Sequence, residues 1–165
     1  DPRSPLPAGQ SGLIWLRSPT LMSAYWQLPQ ASAQALQDGW LDTGDIGLLD
    51  EEGFLYITDR VKDLINRAGE KISASEVESC ICEMPGVIEA AAFAVADEAL
   101  GERLALVLRS ELDPAPTREQ VCAFIGQRLA AYKVPAEVHT RHEPLPRNAS
   151  GKLIKAQLKE LLVSA

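Results

Sequence analysis

The chain has 165 residues, 46% of them hydrophobic, with 16 Lys plus Arg against 23 Asp plus Glu, for a net charge of −7. This composition supports a packed core and excludes a disordered chain, and no apolar run approaches the ~20 residues that span a bilayer. A pI near 4.9 argues against general nucleic-acid binding, and three cysteines are too few for a disulfide framework, which suits a reducing, cytoplasmic setting.

In chain order, residues 1–12 carry Pro2, Pro5, Pro7, Gly9 and Gly12 and read as a loop cut from something larger. Leu13-Ile14-Trp15-Leu16 suits a short strand, and Ala31 to Gln37 a short helix stopped by Asp38-Gly39. Strands follow near Gly47 to Leu49 and at Phe54 to Thr58, joined by a hairpin turn at Asp50-Glu51-Glu52-Gly53. Tyr56 on the second of these is expected to pack. Residues 1–59 are thus short strands and turns with too many open edges for a stable unit. They are also acidic, with two bases and eight acids, 2 − 8 = −6.

From Arg60 the pattern becomes self-sufficient. Val61 to Asn66 reads as extended. Ser75-Glu76-Val77-Glu78 fits a capping box opening a helix that runs to about Glu83 and stops at Pro85-Gly86. Val87 to Ala96 reads as a strand and Asp97 to Glu102 as a turn. Leu104 to Leu108 is apolar on both faces, as a covered central strand would be. Thr117-Arg118-Glu119-Gln120 is a second capping box, and Val121, Ile125 and Leu129 form a helical stripe ending before Pro135. Val138 marks a short strand, and Ile154 to Val163 a last amphipathic helix. Strands interleaved with helices on a small sheet give an α+β domain of about a hundred residues. Its end is basic: residues 133–159 hold Lys133, Arg141, Arg147, Lys152, Lys155 and Lys159 against Glu137 and Glu143. Cys80 and Cys82 point apart at i and i+2 of a helix and suit core packing rather than a metal site. His139 and His142 lie near no nucleophile.

Three segments combine with characteristic order and spacing. They are Trp40-Leu41-Asp42-Thr43-Gly44-Asp45, then Asp59-Arg60-Val61-Lys62-Asp63 leading to Gly69-Glu70-Lys71-Ile72, then Leu145-Pro146-Arg147-Asn148-Ala149-Ser150-Gly151-Lys152. With Tyr132-Lys133-Val134-Pro135 between them, the chain resembles the C-terminal part of an AMP-forming acyl-CoA synthetase, of the adenylate-forming enzymes, from about Gly12 to Leu162. The resemblance implies that 1–59 is the strand-rich tail of a large N-terminal AMP-binding domain. It makes 60–165 a complete small lid domain with a short mixed sheet and about three helices. The family's phosphate loop and its magnesium ligand belong to the N-terminal portion, so Mg2+ has its ligand outside this chain. The isolated chain is therefore expected to be inactive, with the N-terminal domain as its partner.

The resemblance further implies a ligase that joins a carboxylate to ATP as an acyl-adenylate and then to coenzyme A as a thioester, in fatty-acid or related metabolism. Lys152 is the catalytic Lys of the first step. Asp45 and Arg60 contact the ribose, and Lys62 is the hinge. Gly69 and Glu70 match the loop that swings in for the thioester step, and Lys71 sits where some relatives place a phosphate-touching Arg. The alternatives are an amino-acid adenylation domain of a peptide synthetase, whose longer Arg-Ile-Glu-Leu-Gly-Glu-Ile-Glu run is missing, and a non-catalytic nucleotide-binding or interaction module. Gly151-Lys152-Leu153 lacks the hydroxyl residue and glycine spacing of a P-loop.

Overall fold

Short apolar runs broken by Pro and Gly can pair with one another but cannot cover themselves, and the first part of the chain does the former only. A computed structural model describes residues 4–163 and divides the chain into two units, Asp1–Lys62 and Asp63–Ala165. The outermost residues of the predicted segments, 1–3 with Pro2 and 164–165, lie outside the described residues.

The first unit contains β1 (Gly12–Leu16), α1 (Pro29–Ala35), β2 (Leu36–Gln37), β3 (Trp40–Leu49) and β4 (Leu55–Arg60). All pairings are antiparallel and centre on β3, which has β1 along one edge and β2 then β4 along the other. The sequence locates only the last three residues of β3, because Asp42, Gly44 and Asp45 are poor strand formers. The helix starts at Pro29, a residue suited to a first turn, and gives way to strand at Leu36 instead of running to Gln37. Gly47 is the one buried residue among those described in this unit. A side chain there would collide with the Tyr56 carbonyl oxygen, so the close approach of β4 requires glycine. Tyr56 does not pack as expected but is 53% exposed, beside exposed Phe54, Leu55 and Ile57.

A 3₁₀ turn, Val61–Asp63, follows where an extended run was expected. The second unit comprises β5 (Leu64–Arg67), β6 (Glu70–Ser73), α2 (Ala74–Cys82), β7 (Val87–Asp97), β8 (Gly101–Ser110), α3 (Arg118–Gly126), β9 (Glu137–Arg141) and α4 (Lys155–Val163). β8 is central, with antiparallel β7 on one edge. Antiparallel β5 and parallel β9 share the other, so the sheet is mixed and the class is α+β. One face of β7 and β8, with Ala90, Ala92, Leu104, Leu106 and Leu108, packs under Val77 and Ile81 of α2 and Val121 and Ile125 of α3. The other face, with Ala91, Phe93, Ala105 and Val107, packs with Leu145 and Leu158. The all-apolar run of β8 is thus covered on both sides, as its composition demands.

Helix starts separate a correct reading from a shifted one. At α3 both capping-box bonds form, Thr117 Oγ1 accepting from the Gln120 amide and the Gln120 side chain from the Thr117 amide. At α2 the cap is Ser73, not Ser75: Ser73 Oγ accepts from the Glu76 amide at 3.1 Å. Ser73 ends β6 in an extended conformation, which the cap position requires. Glu78 does not reach back to a cap. It accepts from the Ala92 amide and from Lys155 Nζ, tying α2 to β7 and α4.

Candidate functional site

Lys152 sits on a turn whose backbone is bonded to itself. Arg147 and Leu153 bridge in antiparallel fashion, and inside that bridge Asn148 is the hub. Its Oδ1 accepts from the Ser150 amide at 3.1 Å, the Ser150 hydroxyl at 2.8 Å and the Lys152 amide at 2.9 Å. Its backbone N–H donates to the Lys152 carbonyl, and its carbonyl accepts from the Gly151 amide, both at 2.9 Å. Gly151, at φ +82°, makes the tight return that L side chains resist. The turn holds the Lys152 backbone firmly while leaving its side chain exposed. Five of the six bases between 133 and 159 are engaged: Lys133 with Glu76, Arg141 with Glu143, Arg147 with Glu89, Lys155 with Glu78, and Lys159 over the Phe93 ring. Lys152 is the sixth, and its ammonium has no partner among the described residues.

The turn is anchored to the sheet through Glu89 of β7. Glu89 Oε1 accepts from the Leu145 amide at 2.9 Å, and Oε2 accepts from Arg147 Nη2 at 2.6 Å. Arg147 Nη1 in turn donates to the Gly151 carbonyl at 2.9 Å. Burial opposes ionisation of Glu89, but the Leu145 amide, Arg147 and Arg109 outweigh it and hold the carboxyl below its ordinary value.

Asp45 and Arg60, fifteen residues apart in sequence, face each other in register on β3 and β4. Arg60 Nε donates to Asp45 Oδ1 at 2.7 Å, so the ion partner of Arg60 is Asp45 rather than a neighbouring acid. Asp59 instead accepts the Arg60 backbone N–H. A bulge aims Asp45. Between the pairs Leu13↔Ile46 and Trp15↔Asp42, β3 uses two more residues than β1. Gly44, at φ +69°, makes the bend, which is pinned by Thr43 Oγ1 donating to the Ile14 carbonyl and accepting from the Asp45 amide. Asp45 Oδ2 keeps a free acceptor among the described residues.

Gly69, Glu70 and Lys71 lie at the tip and start of the returning strand of the β5–β6 hairpin, all exposed. Ala68 and Gly69 form its two-residue turn with φ of +50° and +96°, and no atom lies within 4 Å of where a Gly69 side chain would stand. The Ala68 amide donates to the Leu100 carbonyl, and the Asn66 amide to Glu102 Oε2 at 2.7 Å. Lys62 is exposed in the 3₁₀ turn, as the last residue of the first unit.

Among the described residues no group of three His, Cys, Asp or Glu could hold a metal, and no helix is long and apolar enough to cross a membrane. Cys80 is buried, but Cys82, also expected in the core, is exposed; burial pushes the thiols of Cys80 and Cys122 up. His142 Nδ1 lies 3.1 Å from the Ser110 carbonyl oxygen. Sequence reasoning missed Glu89, Arg147 and Asn148. The signal for Glu89 was a single carboxylate inside the apolar run Val87 to Ala96, which needs a buried partner.

Comparison with known proteins matches residues 76–152 to the family described as AMP-binding enzyme C-terminal domain. The 2-succinylbenzoate–CoA ligase of Geobacillus kaustophilus is 42% identical over 153 residues, 93% of this chain and 31% of that protein. The long-chain-fatty-acid–CoA ligase FadD13 of Mycobacterium tuberculosis is 40% identical, over 90% of this chain and 29% of that protein. Among solved structures, o-succinylbenzoate CoA synthetase (MenE) from Bacillus subtilis, in complex with its acyl-adenylate intermediate, aligns with a TM-score of 0.80 and 38% identity. It covers 93% of this chain and 31% of that one. The chain therefore spans about 30% of the length of the curated relatives it matches.

Proposed function

We propose, from the match of residues 76–152 to the AMP-binding enzyme C-terminal domain, that this chain is the lid and hinge of an AMP-forming acyl-CoA ligase. In this reading a carboxylate oxygen attacks the α-phosphorus of ATP, releasing pyrophosphate and leaving an acyl-adenylate. The thiol of coenzyme A then attacks the acyl carbon and AMP departs. Both steps gather negative charge on oxygen. Lys152 brings its ammonium to the first, where one positioned donor is worth roughly 3–4 kcal/mol, or 10²–10³ in rate.

The observation that carries the reading is the contrast at the basic end: Lys152 alone among those six bases is unpaired, on a turn that fixes its backbone. Asp45 and Arg60 hold the ribose, with Asp45 Oδ2 free to accept a hydroxyl. Lys62 is the pivot, since an exposed residue in a short turn lets few dihedrals absorb a rotation. Gly69 and Glu70 approach the acceptor thiol in the second step, the bare Gly69 tip admitting a narrow chain against backbone, and Lys71 stands beside them toward phosphate. Mg2+ is held by a residue outside this chain, on the rest of the longer protein, which is its partner. Relatives named for two different acids match this portion at 42% and 40% identity, so it serves a step common to both acids.

The test uses the full-length protein. Lys152→Ala lowers ATP–pyrophosphate exchange about 10²–10³-fold and spares thioester formation from supplied acyl-adenylate. Equal loss in both steps contradicts the role. Lys62→Pro shifts the ratio the other way, slowing the second step more; an unchanged ratio removes the hinge.

A further inference from the structure

The Lys152 turn is held on both sides. On its exit Leu153 packs into the Leu145 cluster and Lys155 Nζ donates to Glu78 and to the Ala92 carbonyl of β7, whereas on its approach the grip converges on one carboxylate. Glu89 takes the Leu145 amide on one oxygen and the Arg147 guanidinium on the other, while Arg109 lies 3.8 Å from it. Arg147 then carries the contact forward to the Gly151 carbonyl, next to Lys152. Leu145 is 2% exposed, and its side chain packs with Leu158, Phe93 and Val107, so the base of the turn is fixed by packing. The Glu89 side chain is 15% exposed, well shielded for a carboxylate, whereas Arg147 is 45% exposed. Charge-assisted bonds of this length on a shielded acceptor are directional as well as strong.

We propose that Glu89 is a positioning residue for the Lys152 ammonium, acting through Arg147 and the Leu145 amide to set where the Lys152 turn stands on the sheet. The inference rests on the role proposed above for Lys152. Glu89 touches no reacting atom in it. Replacing the carboxylate by an amide keeps an acceptor for Leu145 but removes the ion pair with Arg147, so the turn keeps its internal Asn148 bonds and loses its pose. A misplacement of this kind, on the order of 1 Å, costs up to ~10²-fold in rate when the group acts only in the transition state.

The experiment measures the two half-reactions separately in the full-length protein for Glu89→Gln, Arg147→Gln, Lys152→Ala and the double variant Glu89→Gln/Lys152→Ala. Positioning predicts that each of the first two lowers pyrophosphate exchange by roughly 10–100-fold with KM for ATP little changed, and leaves thioester formation from supplied acyl-adenylate intact. It also predicts that Glu89→Gln adds nothing on top of Lys152→Ala, and that Glu89→Asp restores part of the loss. Amide exchange supplies a readout independent of activity: the Ser150, Gly151 and Lys152 amides exchange faster in Glu89→Gln, while those of β8 do not. Equal loss in both half-reactions, or a full further loss on the Lys152→Ala background, overturns the inference. Should Glu89→Gln fail to fold, Arg147→Gln at the exposed end of the pair decides by the same criteria. A normal first step in Lys152→Ala defeats the underlying role of Lys152; a crippled Lys152→Ala beside normal Glu89→Gln and Arg147→Gln defeats the positioning inference alone.

Discussion

The two units use similar residues to opposite effect. Every fully buried hydrophobic side chain among the described residues, from Ile65 to Leu158, lies in the second unit. The first keeps Leu13, Leu16, Phe54, Leu55 and Ile57 exposed, the last at 64%. Both have a sheet centred on one long strand, so strand content does not make the difference. Cover does: α2 and α3 close one face of the β7–β8 pair, and Leu145 with α4 closes the other, whereas the single helix α1 of the first unit has no buried residue. A sheet becomes a domain when both faces lose water, and the apolar fraction of the sequence does not report that.

The sharpest way to break this contrast is a pair of matched truncations. Leu106→Ala, at a fully buried position of β8, lowers stability of the second unit by about 2–5 kcal/mol, while Ile57→Ala in the same 165-residue chain changes it by less than ~0.5 kcal/mol. Urea unfolding monitored by circular dichroism checks both. If the rest of a longer protein covers this face, as the proposed function requires, the Ile57→Ala cost in the full-length protein rises toward the core value; an unchanged small cost there would mean the face is truly a surface. Next in size, Gly47→Ala drives a methyl group against the Tyr56 carbonyl and costs on the order of 1–3 kcal/mol, seen as lost amide protection in β3 and β4 but not in β8. Thr117→Ala removes a cap that the second unit uses and costs about 1 kcal/mol, read from the same urea transition.

The smallest expected effect is on pH. The Glu89 carboxyl is held below its ordinary value in the folded state, so its contribution is complete above the unfolded-state pKa of ~4.3 and is lost as pH falls through the lower folded value. Stability measured between pH 5 and pH 2 should therefore fall less steeply in Glu89→Gln than in the parent chain; parallel curves would show that Glu89 is not held down.

What the sequence conveyed follows from which interactions are local. The Thr117 box, the Val121 and Ile125 part of the α3 stripe and the doubly apolar Leu104 to Leu108 are patterns within one element and stand as read, but α3 ends at Gly126, well before Pro135, and leaves Leu129 outside the helix. The cap of α2 slipped by two residues because Ser73-Ala74-Ser75-Glu76 and Ser75-Glu76-Val77-Glu78 are overlapping Ser-x-x-Glu frames. Only the end of β6 at Ser73 decides between them, and β6 exists through its pairing with β5. The start of β3 was hidden because Gly44 and two acids break the alternation, and those residues make the bulge that aims Asp45. Lys152 was legible as a motif residue. That it is unpaired, and that Glu89 braces its turn across 58 residues of sequence, are properties of the folded sheet.

The central strand of the second unit has one further consequence. Leu104-Ala105-Leu106-Val107-Leu108 is an uncharged, wholly apolar run without Pro or Gly, which would be adhesive as an exposed edge. Here β7 occupies one side of it, and on the other the Leu104 carbonyl takes the Ala136 amide before β9 continues from Ala105 to Arg109. No length of that run offers an open ladder to another molecule while the sheet is intact. Edge-to-edge association through this run should therefore wait for global unfolding of the sheet rather than for fraying at its ends.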